Sequence, residues 1–432
     1  MHQTKRRRAP TRRDQQFHRQ RAEFLENSFS RALSEGRLTE DDVELIREFL
    51  AEVTAENNIS VARANKLGFH LIAWRRFIGP FCENSIGDLR GGLQQLKTAP
   101  RTRRLFDREM PAAESNAKPY TKNSVYDFVT ILKRFYRWMI ENDHSTIELQ
   151  KLNKIRSPGK DRMTKTVEMI PTEDEVRAIV EVCQNPRDRA IFAMLWDGGF
   201  RIAELGTLTW GQIKFTEFGC AINVNTKTEF PRYVPLLASS SYLAMWRDSY
   251  PCEITSDALV FLTRQHRPLS WDVVNAQLKK MAKKAGITKH LTLHAFRHGR
   301  ATEMLRSGLH ETVIKKVLWG NTATKCLATY EHLTDRDIDD AFLTQAGIRT
   351  RDRGHADAMA PRECARCGMV NPPTAEICWR CATPLSREFA ASLEELNRAI
   401  ERTPEWHTMV EAAMRSLPGS RLEGDIGRAT PR

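Results

Sequence analysis

His294-Ala-Phe-Arg297-His298, with Tyr330-Glu-His332 downstream of it, is the stretch on which the reading of this chain turns. Far upstream stands Gly199-Phe-Arg201-Ile-Ala-Glu204-Leu, and between the two lies Thr226-Lys227-Thr228. In chain order the set runs arginine, lysine, His-x-x-Arg, tyrosine. Taken singly, each piece has a plain explanation. Arg201 can pair with Glu204, His-x-x-Arg recurs by chance, and a lone tyrosine is usually core. Together they are what metal-free cutting of a phosphodiester requires. Two guanidiniums hold phosphate oxygens bidentately and offset the charge of the pentavalent transition state. A tyrosine nucleophile keeps the bond energy in a phosphotyrosine ester, so the strand can be rejoined without ATP. A lysine on a turn can protonate the departing 5′-oxygen. Arg201, Arg297, Tyr330 and Lys227 fit these four roles, and His294 adds a hydrogen bond to the phosphate.

Outward from this set the pattern is mixed. Residues 190–205 are helical and apolar. Residues 213–236 switch to strand pattern, with Ala221-Ile-Asn-Val224, the turn around Lys227, and Tyr233-Val-Pro-Leu236. Helices resume at 272–285, 295–307 and 311–318. Thr172-Glu-Asp-Glu175 is a capping box that opens a helix with Val176, Ile179, Val180 and Cys183 on its apolar face. Earlier, Val61, Ala64, Leu67, Leu71, Trp74 and Ile78 follow helical spacing, as do Val125, Phe128, Leu132, Phe135 and Met139. Lys122, Lys133, Arg134 and Arg137 lie on the other face of the latter helix, which suits a phosphate backbone or a solvated surface equally.

The fold class expected is mainly α, with one small sheet in an α+β catalytic domain. The expected order is a basic arm and helical lead-in (1–57), a helical domain (58–143), a linker (144–170) and a catalytic domain (171–348). A second linker (349–362), a cysteine module (363–385) and an amphipathic helical tail (386–432) follow. Residues 1–20 read as a disordered or DNA-contacting arm, or as a plain solvated tail.

A chain of 432 residues exceeds one core and suits two or three domains. Its net charge of +13 favours polyanions through phosphate contacts and counterion release, with solubility alone as the alternative. No apolar run approaches the roughly 18–20 residues that span a bilayer. The basic N-terminus has no apolar segment behind it, so no secretory signal is read there and a cytoplasmic, nucleoid-associated location is expected.

Four of the nine cysteines fall within residues 364–381, as Cys364-Ala-Arg-Cys367 and Cys378-Trp-Arg-Cys381. Each C-x-x-C can turn two thiolates to one point, and two such knuckles complete a closed tetrahedral zinc site of the structural kind. Arg366 and Arg380 within the knuckles suit contact with DNA or with protein.

The central set resembles the tyrosine recombinases, also called the phage-integrase family, over roughly residues 58–345. Gly198-Gly-Phe-Arg201-Ile-Ala-Glu204-Leu-Gly-Thr-Leu matches its first box and Leu293-His294-Ala-Phe-Arg297-His298-Gly-Arg-Ala301-Thr302 its second. Leu318-Trp-Gly320-Asn321 through Ala328-Thr-Tyr330-Glu-His332 matches its third. The resemblance implies a site-specific recombinase or integrase that cleaves and rejoins duplex DNA at attachment-type sites through a 3′-phosphotyrosine, without metal or ATP. By it, Arg201 and Arg297 clamp the scissile phosphate, Tyr330 attacks, and Lys227 is the general acid. His294 assists proton transfer or holds the phosphate, and Glu204 supports Arg201. Asn321 stands where the family usually has His or Trp, and its amide can still donate to a phosphate oxygen. Trp319 is the alternative occupant of that space. Residues 58–143 look like the family's core-binding (SAM-like) domain. Asp335 to Leu343 resembles a helix donated to a neighbouring protomer, which implies a homo-tetramer on DNA. A C-terminal zinc ribbon is more similar to archaeal or mobile-element members. The rival readings are a type IB topoisomerase and a DNA-binding protein with a silent site and a regulatory ribbon.

Overall fold

The computed structural model describes residues 7–18, 21–100, 119–161, 167–216, 219–225, 230–325, 327 and 359–401. These divide into two compact units. One comprises Asp14–Val167 and Pro268–Trp271, and the other comprises the residues up to Arg13, Glu168–Arg267 and those from Asp272 onward.

The first unit is helical: α1 (Glu23–Ser34), α2 (Glu40–Asn57), α3 (Val61–Trp74), α4 (Ile86–Thr98), α5 (Lys122–Glu141) and α6 (Leu149–Asn153). Hydroxyl caps start four of them: Thr39 accepts from Asp42 N, Ser60 from Arg63 N, Ser85 from Asp88 N and Thr121 from Ser124 N. The spacing read in α5 buries Val125, Phe128, Leu132, Phe135 and Met139, which join Leu67, Leu71 and Trp74 in one core. Val61 is the exception in α3. At the first helical position it is 46% exposed.

Burying a large aromatic side chain contributes roughly 1.5–3 kcal/mol, and this core holds Trp74, Phe81, Phe135 and Tyr136 with no exposure. Their polar ends are satisfied. Trp74 Nε1 donates to Phe128 O at 2.9 Å and Tyr136 Oη to Phe81 O at 3.0 Å. Asp42, 1% exposed, accepts from Arg75 Nε at 2.7 Å and from Phe81 N at 2.9 Å.

Two boundaries shift from those expected. Leu25, Phe29, Ala32, Phe49 and Val53 of α1 and α2 belong to this same core, so residues 23–57 are part of the helical body. Ile147, Leu152 and Ile155 also enter it, so 144–155 is not linker. Charged surface residues hid the one-sided apolar stripe of α1 and α2. The basic face of α5 is partly structural: Lys133 Nζ donates to Ile155 O at 2.7 Å and Arg137 Nη2 to Asn153 Oδ1 at 3.3 Å.

The second unit holds α7 (Glu173–Glu181), α8 (Pro186–Asp197), α9 (Ile202–Gly206), β1 (Ile213–Thr216), β2 (Gly219–Val224) and β3 (Arg232–Leu236). It continues with α10 (Ser240–Asp248), α11 (Trp271–Lys284), α12 (Leu293–Arg306), α13 (Glu311–Trp319), β4 (Arg362–Glu363), β5 (Val370–Asn371) and α14 (Arg387–Glu401). The expected capping box opens α7, with Thr172 accepting from Glu175 N. From Ala190 to Asp197 every residue of α8 is buried, so α8 is the axis of the unit. It packs against α7, α10 and α12. The strands pair antiparallel in the order β1-β2-β3, with Ile222 opposite Val234 and Cys220 opposite Leu236 on the buried face. The described N-terminal segment is not a loose tail. Glu253 N and Leu259 N donate to Arg7 O at 3.0 Å and Pro10 O at 2.9 Å, and Thr11 bridges Ala258. No helix among the described residues is long and apolar enough to cross a membrane.

Candidate active site

Helix α8 ends at Gly198 and Gly199, and the turn they make places Arg201. Gly199 has φ +56°, a conformation open to glycine at little cost, and its carbonyl faces inward. Arg201 is the N-cap of α9. Its backbone N donates to Glu204 Oε2 at 2.7 Å and its Nη1 to Glu204 Oε1 at 3.3 Å. Glu204 is thus both cap and counter-ion. The Arg201 side chain keeps 31% exposure while that of Glu204 keeps 4%, so a part-exposed guanidinium stands on a buried carboxylate.

Arg297 lies on α12 with no exposure at all. Its Nη1 donates to Gly199 O at 2.8 Å and its Nη2 to Leu318 O at 2.5 Å, and its Cζ stands 5.1 Å from the Trp319 ring centroid. The first bond ties it to the turn that carries Arg201. The second ties it to the C-terminal end of α13, where helix carbonyls favour a cation. The two arginines of the sequence motif therefore share one scaffold although 96 residues (297 − 201) separate them.

His294 stands one helical turn before Arg297 and is exposed. Its ring meets His298 edge-on, with centroids 5.0 Å apart. Asn321 follows the α13 cap and is half-buried. Its Oδ1 accepts from Ala323 N at 2.9 Å, which uses the acceptor end of the amide. Trp319 is 8% exposed and meets Arg297 with its ring face. Lys227, Tyr330, His332 and the segment from Asp335 to Leu343 lie outside the described residues. Their flanks are placed. Leu327, 1% exposed, packs with Ala301, Ile314 and Leu318 three residues before Tyr330. Lys227 falls between β2 and β3, and Phe230 O lies beside Gly320.

Sequence reasoning missed one member, Arg232. It is 4% exposed. Its Nη2 bonds Glu204 Oε2, and its Nη1 donates to Val317 O and Leu318 O, each at 2.8 Å. The signal was present. Alternation along Arg232-Tyr-Val-Pro-Leu236 sends Arg232, Val234 and Leu236 to one side, and starting the strand at Tyr233 left the arginine out. Arg201, Arg232 and Arg297 against Glu204 make three cations and one anion, a net +2 among these four groups. That balance suits a phosphate.

Gly320, with φ +70°, closes α13, and a Cβ there would come within 2.6 Å of Phe230 O and 2.9 Å of Pro231 O. Gly320→Ala is therefore expected to destabilise this unit by roughly 2 kcal/mol or more. Urea unfolding measures it, and a change under about 0.5 kcal/mol would show that this close approach is not maintained.

The cysteine cluster is assembled in the same unit. Sγ of Cys364 lies 3.6 Å from that of Cys381, and Sγ of Cys367 lies 3.6 Å from that of Cys378. All four sulfurs fall within 4.8 Å of one another. Disulfide sulfurs sit about 2.05 Å apart, so these are free thiols. Four sulfurs at about 2.3 Å around one tetrahedral ion are about 3.8 Å from each other. The set therefore fits a metal. Each knuckle closes on a left-handed residue just after its second cysteine, Gly368 (φ +67°) and Ala382 (φ +56°). Thr383 hydrogen-bonds Cys381 and holds its thiol down at about 6, towards the thiolate a metal needs. Buried Asn371 joins the knuckles: its Nδ2 donates to Met369 O at 2.8 Å and its Oδ1 accepts from Trp379 N at 3.0 Å.

Residues 171–336 match the phage integrase family. Among similar proteins, a tyrosine recombinase XerC of Rickettsia bellii (strain OSU 85-389) is 23% identical over 248 residues, covering 55% of this chain and 78% of that protein. Transposase A from transposon Tn554 of Staphylococcus aureus (strain Mu50 / ATCC 700699) is 29% identical over 182 residues, 39% of this chain and 50% of that protein. The solved structure of a lambda integrase dimer bound to a COC′ core site matches with a TM-score of 0.51 at 13% identity, over 67% of this chain and 77% of that one, and so shares the fold. Residues 171–336 are thus a phage integrase family domain, and over about half its length the chain is similar to tyrosine recombinases.

Proposed function

We propose that the protein is a site-specific recombinase that cleaves and rejoins duplex DNA through a 3′-phosphotyrosine on Tyr330, acting for a mobile element. The observation that carries this reading is the hydrogen-bonded relay from Arg201 through Glu204 and Arg232 to the Leu318 carbonyl and Arg297. It sets two guanidiniums on one rigid base, as a phosphate clamp needs. Arg201 and Arg297 hold the non-bridging oxygens and stabilise the charge that grows on them. Lys227, on the turn between β2 and β3, protonates the leaving 5′-oxygen. His294 and the Asn321 amide hydrogen-bond the phosphate. Residues 23–155 form the core-binding body that grips DNA, and a homo-tetramer holds two duplexes. The protein then works beside the nucleoid, in the cytoplasm. A type IB topoisomerase would use the same clamp, but the transposase likeness favours recombination.

The test is covalent trapping. Wild-type protein is incubated with a nicked suicide duplex, built on a sequence selected from a randomised pool by binding to the wild-type chain, in the presence of EDTA. The expected result is an SDS-resistant adduct whose nucleotide-bearing peptide contains Tyr330. An adduct mapped elsewhere, or none on tightly bound DNA, overturns the proposal.

The cysteines Cys364, Cys367, Cys378 and Cys381 would hold one zinc ion, which with four thiolate ligands supplies structure and leaves no open position for chemistry. We expect one equivalent of zinc per chain by elemental analysis and its loss from Cys364→Ser/Cys378→Ser, with the ribbon becoming sensitive to protease. The adduct assay should be unchanged by that variant within about threefold, a factor worth about 0.7 kcal/mol. A hundredfold loss would place the ribbon in the reaction.

A further inference from the structure

We infer that Arg232 is a positioning residue for strand cleavage, the tie that fixes the two phosphate-binding arginines relative to one another and to β3; this rests on the recombinase reading above. Arg201 caps α9, Arg297 is on α12, Lys227 falls in the chain between β2 and β3, and Tyr330 follows α13 in sequence, so four separate pieces of chain must keep one register. Arg232 touches three of them. It stands on β3, the strand that follows Lys227 in the chain. Its Nη2 bonds the same Glu204 Oε2 that caps Arg201 N. Its Nη1 donates to Leu318 O, the carbonyl that also accepts Arg297 Nη2, and to Val317 O beside it. A planar guanidinium has donors on two prongs and can bind a carboxylate and a helix end at once, whereas a lysine ammonium is one point of charge. The Phe200 ring meets the guanidinium itself, with Arg232 Cζ 5.8 Å from the ring centroid. At 4% exposure Arg232 is shielded from solvent, so its role runs through Glu204 and the α13 carbonyls.

A displacement of about 1 Å in a reacting group can cost on the order of 100-fold in rate. Arg232→Lys keeps the charge and loses the fork. It is expected to bind the selected duplex with a Kd within about twofold of wild type and to form the Tyr330 adduct roughly 100-fold more slowly in single turnover. Combined with Glu204→Gln, the losses should be far from additive, since both break one relay. A residue that only stabilised the fold would lower binding, melting temperature and rate together and would show additive losses. Arg232→Gln, which still donates to the carbonyls, is the second variant should the lysine form not fold. Cleavage at the wild-type rate in either variant overturns the inference, and so does loss of fold in both. Absence of an adduct with wild-type protein overturns the recombinase reading itself, and this inference with it.

Discussion

Tyr330→Phe is expected to bind the selected duplex as wild type does and to form no covalent adduct. On the proposed reaction, removing the phenol oxygen removes the only atom that becomes bonded to phosphorus, while the aromatic ring is kept. Loss of a nucleophile costs on the order of 10⁴–10⁶-fold in comparable covalent enzymes. The arginine clamp cannot substitute, because it stabilises the transition state without supplying a bond. Three residues of chain, about 11 Å at full extension, separate Tyr330 from Leu327, which is anchored between α12 and α13. The tyrosine is thus tethered to the helix pair that carries Arg297 and ends at Gly320. Gel shift reads binding, and SDS gels read the adduct. Weak binding by the variant would give the tyrosine a structural part, and a surviving adduct would move the nucleophile elsewhere.

Arg297→Lys should lower single-turnover cleavage by about 10³-fold, equivalent to roughly 4 kcal/mol of transition-state stabilisation. The charge survives the substitution, so charge alone predicts little change. What is lost is the fork that donates at once to Gly199 O and Leu318 O, together with the guanidinium's cation–π contact to the Trp319 ring. With no exposure at this position, a lysine ammonium cannot reach water to complete its hydrogen bonds and must turn towards one carbonyl only. Leu318 O keeps its bond from Arg232 Nη1, but Gly199 O, if left, carries a desolvation cost of about 1–3 kcal/mol, and some fall in stability should then accompany the fall in rate. Rates within tenfold of wild type would show that Arg297 serves mainly as a buried strut.

How far the sequence carried the reading differs between elements. Helix α5 and the strands β2 and β3 were legible because their periods of 3.6 and 2 report burial directly. The α7 capping box was legible because an N-cap is a local bond between residues three apart. The four cysteines were legible for the same reason, since C-x-x-C spacing alone turns two thiols to one point. Helices α1 and α2 read as a lead-in, yet Phe29 and Phe49 are 1% and 0% exposed. Whether a one-sided apolar stripe finds a partner is a property of the assembled core and not of the stripe. The N-terminal segment shows the same limit: its basic residues read as a tail, but backbone groups at Arg7 and Pro10 pair with residues some 250 positions away (259 − 10 = 249).

Which residue types stand together in each box follows from the chain alone, because spacing within a box is local and covalent. The tertiary structure decided how the boxes meet. Only there does the Gly199 carbonyl become a seat for Arg297 and the Leu318 carbonyl a point shared by two arginines. Only there, too, does one carboxylate, Glu204, hold both Arg201 and Arg232. Those bonds join atoms far apart in the chain, and a buried donor or acceptor is settled by whichever partner packing brings within reach.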